Sequence, residues 1–388
     1  MTSRKRLLVI LVSAPLIVFT VIGGFLGHAM ARTDDTYANL RVFQDVISLI
    51  MSNYVEQPNM ESVMRGAMRG LAEGLDSDSA YLTPQQVRQV EAGDQPGLAD
   101  VGIFLTHQYY LRVVAARDDS PAARAGIRPG DFVRVLDSRP TRDMSAFEGQ
   151  RLLAGAPGSK LKLTVIRGTA AEPHIVELTR EVPPAIDVKS RSQADGIGYV
   201  RVTGFGRRTV EQLRSQVASL TKNGSTRLII DLRNAASGDL AEGVAAARLF
   251  VPSGTLAVRD SRATGQVKVA ANKGDGAVTV PVTLLVDSGT SGASEIFAAA
   301  LAGNKRAELI GERTVGRTGV QELIKLPDGS GLWITASRYL TPAGAALQTK
   351  GLEPDVVVDQ PEGDFGGAAP ADAILQRAVE RLSAKKAA

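Results

Sequence analysis

The sequence predicts a mixed α/β protein, α+β overall. It has a helical head, a strand-rich middle module and a larger core in which strands and helices alternate. Three patterns carry that prediction. Apolar residues recur at helical spacing up to about residue 91, short apolar or alternating runs follow between Asp100 and Arg180, and beyond Pro183-Pro184 buried strands are separated by helical stretches. Alternation of the last kind calls for a sheet covered on both faces. At 388 residues the chain has room for two or three hydrophobic cores. The expected boundaries are 1–31 for a targeting segment, 32–96 for the helical region, 97–183 for the middle module, 184–360 for the core and 361–388 for a linker and final helix.

The first element is a membrane signal. Arg4, Lys5 and Arg6 precede an uncharged apolar run from Leu7 to Leu26, long enough to span a bilayer with its basic flank in the cytoplasm. Ala29-Met30-Ala31 has the small-x-small form of a signal-peptidase site. The segment is expected to be an N-terminal membrane helix that anchors the chain, or a signal peptide cleaved near Ala31. Either places the rest in the periplasm or outside the cell. Leu40, Phe43, Val46, Ile47, Ile50 and Met51 then fall on one helical face, and a second helix runs from Met60 to about Leu75, ended by Leu75-Asp76-Ser77-Asp78. Thr83 and Pro84 have the form of an N-cap and first helical residue.

In the middle module Val101 to Leu105, Leu111 to Ala115, Phe132 to Leu136 and Leu161 to Val165 read as strands, with a short helix capped by Ser120 and closed by Gly126. In the core the predicted strands are Ile197–Val202, Arg227–Arg233 and Val282–Val286, and the predicted helices are Val210–Leu220, Leu240–Phe250 and Ser294–Leu301. Trp333 lies in an alternating strand from Leu332 to Ala336 and is expected in a core; Ala371 to Lys385 forms a closing amphipathic helix.

Composition removes several function classes. There are no cysteines, so no disulfide or thiolate metal site exists, and only three histidines, His28, His107 and His174, are scattered along the chain. A histidine triad or histidine-rich metal centre is not expected, and no cofactor is implied. His107 and His174 are expected on the surface of the middle module. The net charge is only +4 and no basic run alternates with aromatics, which argues against nucleic-acid binding.

The segment Ser120-Pro121-Ala122-Ala123-Arg124-Ala125-Gly126-Ile127-Arg128-Pro129-Gly130-Asp131 resembles the PDZ domains attached to proteases. The resemblance implies a groove that takes an extended peptide as an added strand, with the backbone amides of Val101, Gly102 and Ile103 holding its terminal carboxylate. Where that family usually has glycine, this chain has Asp100, whose charge is expected to repel a peptide C-terminus.

Further motifs follow in a fixed order: Asp231-Leu232-Arg233-Asn234, Gly289-Thr290-Ser291-Gly292-Ala293-Ser294-Glu295-Ile296, Gly311-Glu312-Arg313-Thr314, Val320-Gln321 and Tyr339-Leu340-Thr341-Pro342. Together they resemble the carboxyl-terminal processing peptidases, or tail-specific proteases, over most of the chain. The resemblance implies a serine nucleophile one position before Ala-Ser-Glu-Ile, a lysine general base after Gly-Glu-Arg-Thr-x-Gly, and a supporting glutamine four residues later. Those positions are Gly292, Arg317 and Gln321. Glycine has no oxygen to attack with, and arginine does not deprotonate in proteins, whereas a dyad lysine works because burial lowers its pKa. The oxyanion region, where the family carries Asn-Pro-Gly-Gly, reads Ala235-Ala236-Ser237-Gly238, so its expected donors come from Ser237, Gly238 and Ala293, with Asp239 beside them.

Ser291 and Ser294 are the candidate displaced nucleophiles; both are more simply turn or helix-cap residues. Lys305 and Lys325 read as solvated lysines, Glu295 as a partner of the helix N-terminus, and Asp231 with Arg233 as a structural pair. Arg317 is expected to pair with Glu295 or Glu312, or else to hold a ligand. The expectation is a pseudoprotease that binds peptides or protein C-termini, scaffolds, or regulates, as a homo-oligomer or with an active paralogue. The alternative is an active serine endopeptidase with a displaced nucleophile.

Overall fold

The computed structural model describes residues 37–93, 97–168, 172–360, 365 and 371–387. The apolar Leu7–Leu26 run and Ala29-Met30-Ala31 lie outside these residues. Among the described residues no helix is long and apolar enough to cross a membrane. The chain divides into two compact units, up to Met68 and from Arg69 onward. In the first, the predicted face from Leu40 to Met51 lies on a helix over residues 37–53, and the Met60–Glu73 helix begins.

The second unit opens with a turn and the strand Ala80–Leu82. Thr83 then caps the helix Pro84–Glu91 by accepting from the Gln86 amide, while the Gln86 side chain returns a bond to the Thr83 amide. Two otherwise orphan amides are thereby satisfied within three residues.

The middle module is an antiparallel sheet in the order Ile103–Gln108, Tyr110–Ala116, Phe132–Leu136, Lys160–Ile166, His174–Thr179. Inward residues including Leu105, Leu111, Val113, Val133 and Leu163 form its core. The short helix Pro121–Arg124 is capped by Ser120, as expected. Val101 and Gly102, expected in the first strand, precede it. His174 is not simply a surface residue, since its ring stacks on Phe365 at 4.3 Å.

The core is a six-stranded sheet ordered Val356–Val357, Ala307–Gly311, Val282–Val286, Arg227–Asp231, Ile197–Val202, Val188–Ser192, with only the last pairing antiparallel. Successive side chains point to opposite faces. Thus Leu228 and Ile230 join Leu213, Val217, Val244 and Phe297 from the helices Thr209–Lys222, Leu240–Ala247 and Ala293–Gly303. Ile229 instead meets Ile374, Ala378 and Leu382 of the closing helix Ala373–Ala387. Phe297 is fully buried, and its truncation to alanine is expected to cost about 3–5 kcal/mol. A second sheet, built from Ala80–Leu82, Gly331–Leu340, Thr255–Ser261, Gly265–Ala270 and Gly319–Lys325, flanks the first. Trp333 packs in it against Phe147 and near Val87. At Gly243 a Cβ would stand 2.3 Å from the Ala293 carbonyl oxygen, so only glycine lets the Leu240–Ala247 helix lie against the start of the Ala293–Gly303 helix.

Candidate active site

The site is a strand-turn-helix junction. Strand Val282–Val286 ends at Asp287, whose carboxylate accepts from the amides of Asn234 and Gly289 and from the Thr290 hydroxyl. Burial pushes this carboxyl above its ordinary value, against the pull of those donors. The turn then reaches Gly292, at φ 63° and ψ −117°, immediately before the Ala293–Gly303 helix. Gly292, not a serine, occupies the cap position. This conformation suits glycine and strains any L side chain, in a strand-turn-helix geometry like that of a nucleophile elbow.

Glu295 organises the surroundings. It is fully buried, and its two oxygens accept from the Gly292, Gly316 and Arg317 amides at 2.9, 2.6 and 2.8 Å and from the Thr314 hydroxyl. Burial raises its pKa despite these donors. One carboxylate therefore ties the turn at the nucleophile position to the loop at the base position.

Arg317 corrects the sequence reading. Its backbone amide meets Glu295, but its guanidinium pairs with neither Glu295 nor Glu312. It reaches Asp78, with Nε 3.1 Å from Oδ2 and Nη2 2.8 Å from Oδ1, the bidentate geometry that arginine makes best. Asp78 is 7% exposed and also accepts from the Thr106 hydroxyl at 3.3 Å. The Asp76 carboxylate accepts from the Asp78 and Ser79 amides and fixes the turn that presents Asp78. The one sequence signal for this residue is the Asp76-Ser77-Asp78 run at a helix end, a pattern that by itself marks a stop.

The other predicted residues separate clearly. Gln321 bonds across its hairpin to Thr335. Ser237 donates to the Thr203 carbonyl at 3.3 Å. Gly238 has φ 118° and passes so close to Phe205 that a Cβ would overlap its carbonyl oxygen. Asp239 is an N-cap, its carboxylate accepting from the Ala241 amide, so its charge is directed at a helix terminus. Leu240, next in sequence, places Cδ2 3.4 Å from where a Gly292 Cβ would stand. Ala293 opens its helix, where first-turn amides lack intrahelical acceptors.

Both candidate displaced serines are buried. Ser294 is fully buried inside the helix and donates to the Ala235 carbonyl at 2.7 Å. Ser291 is 3% exposed and its amide donates to the same carbonyl. Lys305 lies beyond the far end of the helix, about 16 Å away at 1.5 Å per residue, and Lys325 pairs with Glu91 at 2.6 Å. Among the described residues no cluster of His, Cys, Asp or Glu is arranged to hold a metal.

Asp231 and Arg233 form the expected pair within a larger network. Burial opposes ionisation of Asp231, yet Arg233, Arg201 and the Tyr199 hydroxyl hold its pKa below the ordinary value. Arg233 continues to Asp372 and Arg201 to Asp118. This network lines a cavity of about 1080 Å³ at the carboxyl ends of the parallel strands, and neither Gly292 nor Arg317 lines it. In the middle module Asp100 is not an isolated charge: it accepts from the Gly102 amide at 2.8 Å and pairs with Arg117 at 2.6 Å. Its charge is therefore already partnered, where the sequence suggested an unopposed acid.

Comparison with known proteins matches residues 196–358 to peptidase family S41 and residues 112–167 to a PDZ domain. The chain is 31% identical over 347 residues to a carboxyl-terminal-processing protease of Synechocystis sp., covering 86% of this chain and 81% of that one. It is 29% identical over 360 residues to a carboxy-terminal-processing protease of Bartonella bacilliformis, covering 89% and 83%. Among solved structures it is similar to the photosystem II D1 C-terminal processing protease, at a TM-score of 0.69 and 26% identity over 84% of this chain and 91% of that one.

Proposed function

The chain belongs to the carboxyl-terminal processing peptidase family, and from that premise we propose that it is a non-catalytic member, a pseudoprotease that works by binding. The observation that carries this reading is the pair of substitutions in place. Gly292 keeps the elbow but offers no oxygen, and Arg317, committed to Asp78, has no proton-accepting form at working pH. The buried, bonded Ser294 and the distant Lys305 and Lys325 supply no substitute.

The binding role rests on the PDZ module, whose fold suits peptide or protein C-termini. The basic flank and apolar run near the N-terminus support anchoring in the inner membrane, with the folded units in the periplasm or outside the cell. Scaffolding as a homo-oligomer, or regulation of an active paralogue, fits a fold kept without its chemistry. The test is incubation of the full-length protein with casein as an unstructured substrate. No cleavage is expected from the wild type, Ser291→Ala or Ser294→Ala proteins. Cleavage by the wild type that either serine change abolishes overturns the proposal. Recovery in a Gly292→Ser/Arg317→Lys variant supports it further.

A further inference from the structure

Among the described residues the strand Ile103–Gln108 is an edge, paired only with Tyr110–Ala116. An edge presents unpaired amides and carbonyls, and a peptide entering between this strand and the helix Ala146–Leu153 would pair with them by strand addition. That side is already occupied from within. The Gln150 carboxamide accepts from the Leu105 amide at 3.1 Å and donates to the Ile103 carbonyl at 2.9 Å. One donor and one acceptor are what a peptide group would bring, and the side chain supplies both. Farther along, the His107 amide donates to the Ser77 carbonyl.

The carboxylate end is filled in the same manner. Of the three amides expected to hold a terminal carboxylate, that of Gly102 already donates to Asp100, and Arg117 neutralises the same oxygen. Two glycines make the closure possible. Gly102, at φ 80°, packs where a Cβ would overlap Ser120, and Gly149 brings its helix so close that a Cβ would stand 2.3 Å from Leu111 Cδ1. The second approach sets the neighbouring Gln150 against the strand edge.

We propose that the PDZ groove is shut by an internal ligand, with Asp100 standing in for a peptide's terminal carboxylate and Gln150 for its first backbone amide. In this state the module does not accept free C-termini. A peptide enters only by displacing both side chains, and Arg117, released from Asp100, becomes the counter-ion of the incoming carboxylate. This rests on the peptide-binding role proposed above and concerns its regulation.

The test uses the full-length protein and fluorescein-labelled decapeptides with apolar C-terminal residues, as free acids and as amides, read by anisotropy. The wild type is expected to bind both sets weakly, without preferring the free acids. Asp100→Gly/Gln150→Ala is expected to bind the free acids at least tenfold more tightly than the wild type does, and to prefer them to the amides. Without peptide, hydrogen exchange at residues 102–106 should accelerate in this variant while the core sheet stays protected; Gln150→Ala alone serves if the double variant does not fold. Wild-type binding equal to the variant's, or unchanged exchange at 102–106, overturns the internal ligand. An opened groove that binds neither set overturns the peptide-binding role as well. Cleavage is not read in this assay, so its outcome stands apart from the pseudoprotease reading.

Discussion

Gly292→Ser restores the missing hydroxyl, and the local backbone sets its cost. At φ 63° and ψ −117° an L residue is strained by about 1–3 kcal/mol. Space is not the obstacle: the new Cβ would lie 3.4 Å from Leu240 Cδ2 and 3.6 Å from the Arg317 carbonyl oxygen, both ordinary contacts. Part of the strain is offset because replacing glycine lowers the entropy of the unfolded chain, by about 0.4–1 kcal/mol for a glycine-to-alanine change. The net destabilisation is then roughly 0–2.6 kcal/mol. At about 2–4 °C per kcal/mol for a domain of this size, Tm should fall by up to about 10 °C in thermal denaturation followed by circular dichroism. Casein cleavage should stay absent, because Arg317 still cannot take the serine proton. A raised Tm refutes the strain reasoning, and cleavage by the single variant refutes the assignment of Arg317 to the family's base position.

Arg317→Ala strands the buried Asp78 carboxylate and should cost about 2–4 kcal/mol; the check is a double-mutant cycle with Asp78→Asn, in which additive losses would deny the coupling. Ser294→Ala removes the 2.7 Å bond to the Ala235 carbonyl and should lower stability by about 1–2 kcal/mol in urea unfolding, with no change in cleavage. Glu295 has a native pKa raised above 4.5, so the native state holds its proton more tightly than the unfolded chain. Its contribution is fully present below pH 4.5 and is lost as pH rises through the native value. Glu295→Gln should flatten that decline in urea midpoints measured from pH 4 to 7, leaving the part due to Asp287, which has the same sign; an unaltered slope would count against it.

Local signals were the legible ones. Thr83 and Ser120 cap their helices as their sequence contexts predict, because capping is settled within three residues. The run Val282–Val286 is buried at every position, as a central parallel strand requires. Gly292 and Arg317 were legible as substitutions because both sit inside ordered motifs. What Arg317 touches was not, since Asp78 lies 239 residues earlier in the chain and no spacing rule connects them. The Ala293–Gly303 helix starts one residue before the predicted Ser294, because Gly292 takes the cap position and its amide donates to the Glu295 carboxylate. The hairpin Thr255–Ala270 and the strand Gly319–Lys325 were not legible as strands, unlike the alternating Leu332–Ala336 within Gly331–Leu340. The first two are defined by pairing partners rather than by their own patterns. Asp100 was legible as a charge and illegible as an occupant, because its role depends on Arg117 and on the Gly102 amide turned toward it.

The Arg317–Asp78 pair also constrains the order in which this chain could change. Lysine in place of Arg317 exchanges a two-pronged contact for a single ammonium, and leaves Asp78 less well satisfied before any nucleophile exists to profit from the new base. Serine at 292 alone adds strain and no turnover. On the proposed non-catalytic reading neither single step toward a serine–lysine pair gains stability or turnover, and only the joint change could be rewarded. On that reading the ion pair acts as a ratchet, making the Gly292 and Arg317 state easier to enter than to leave.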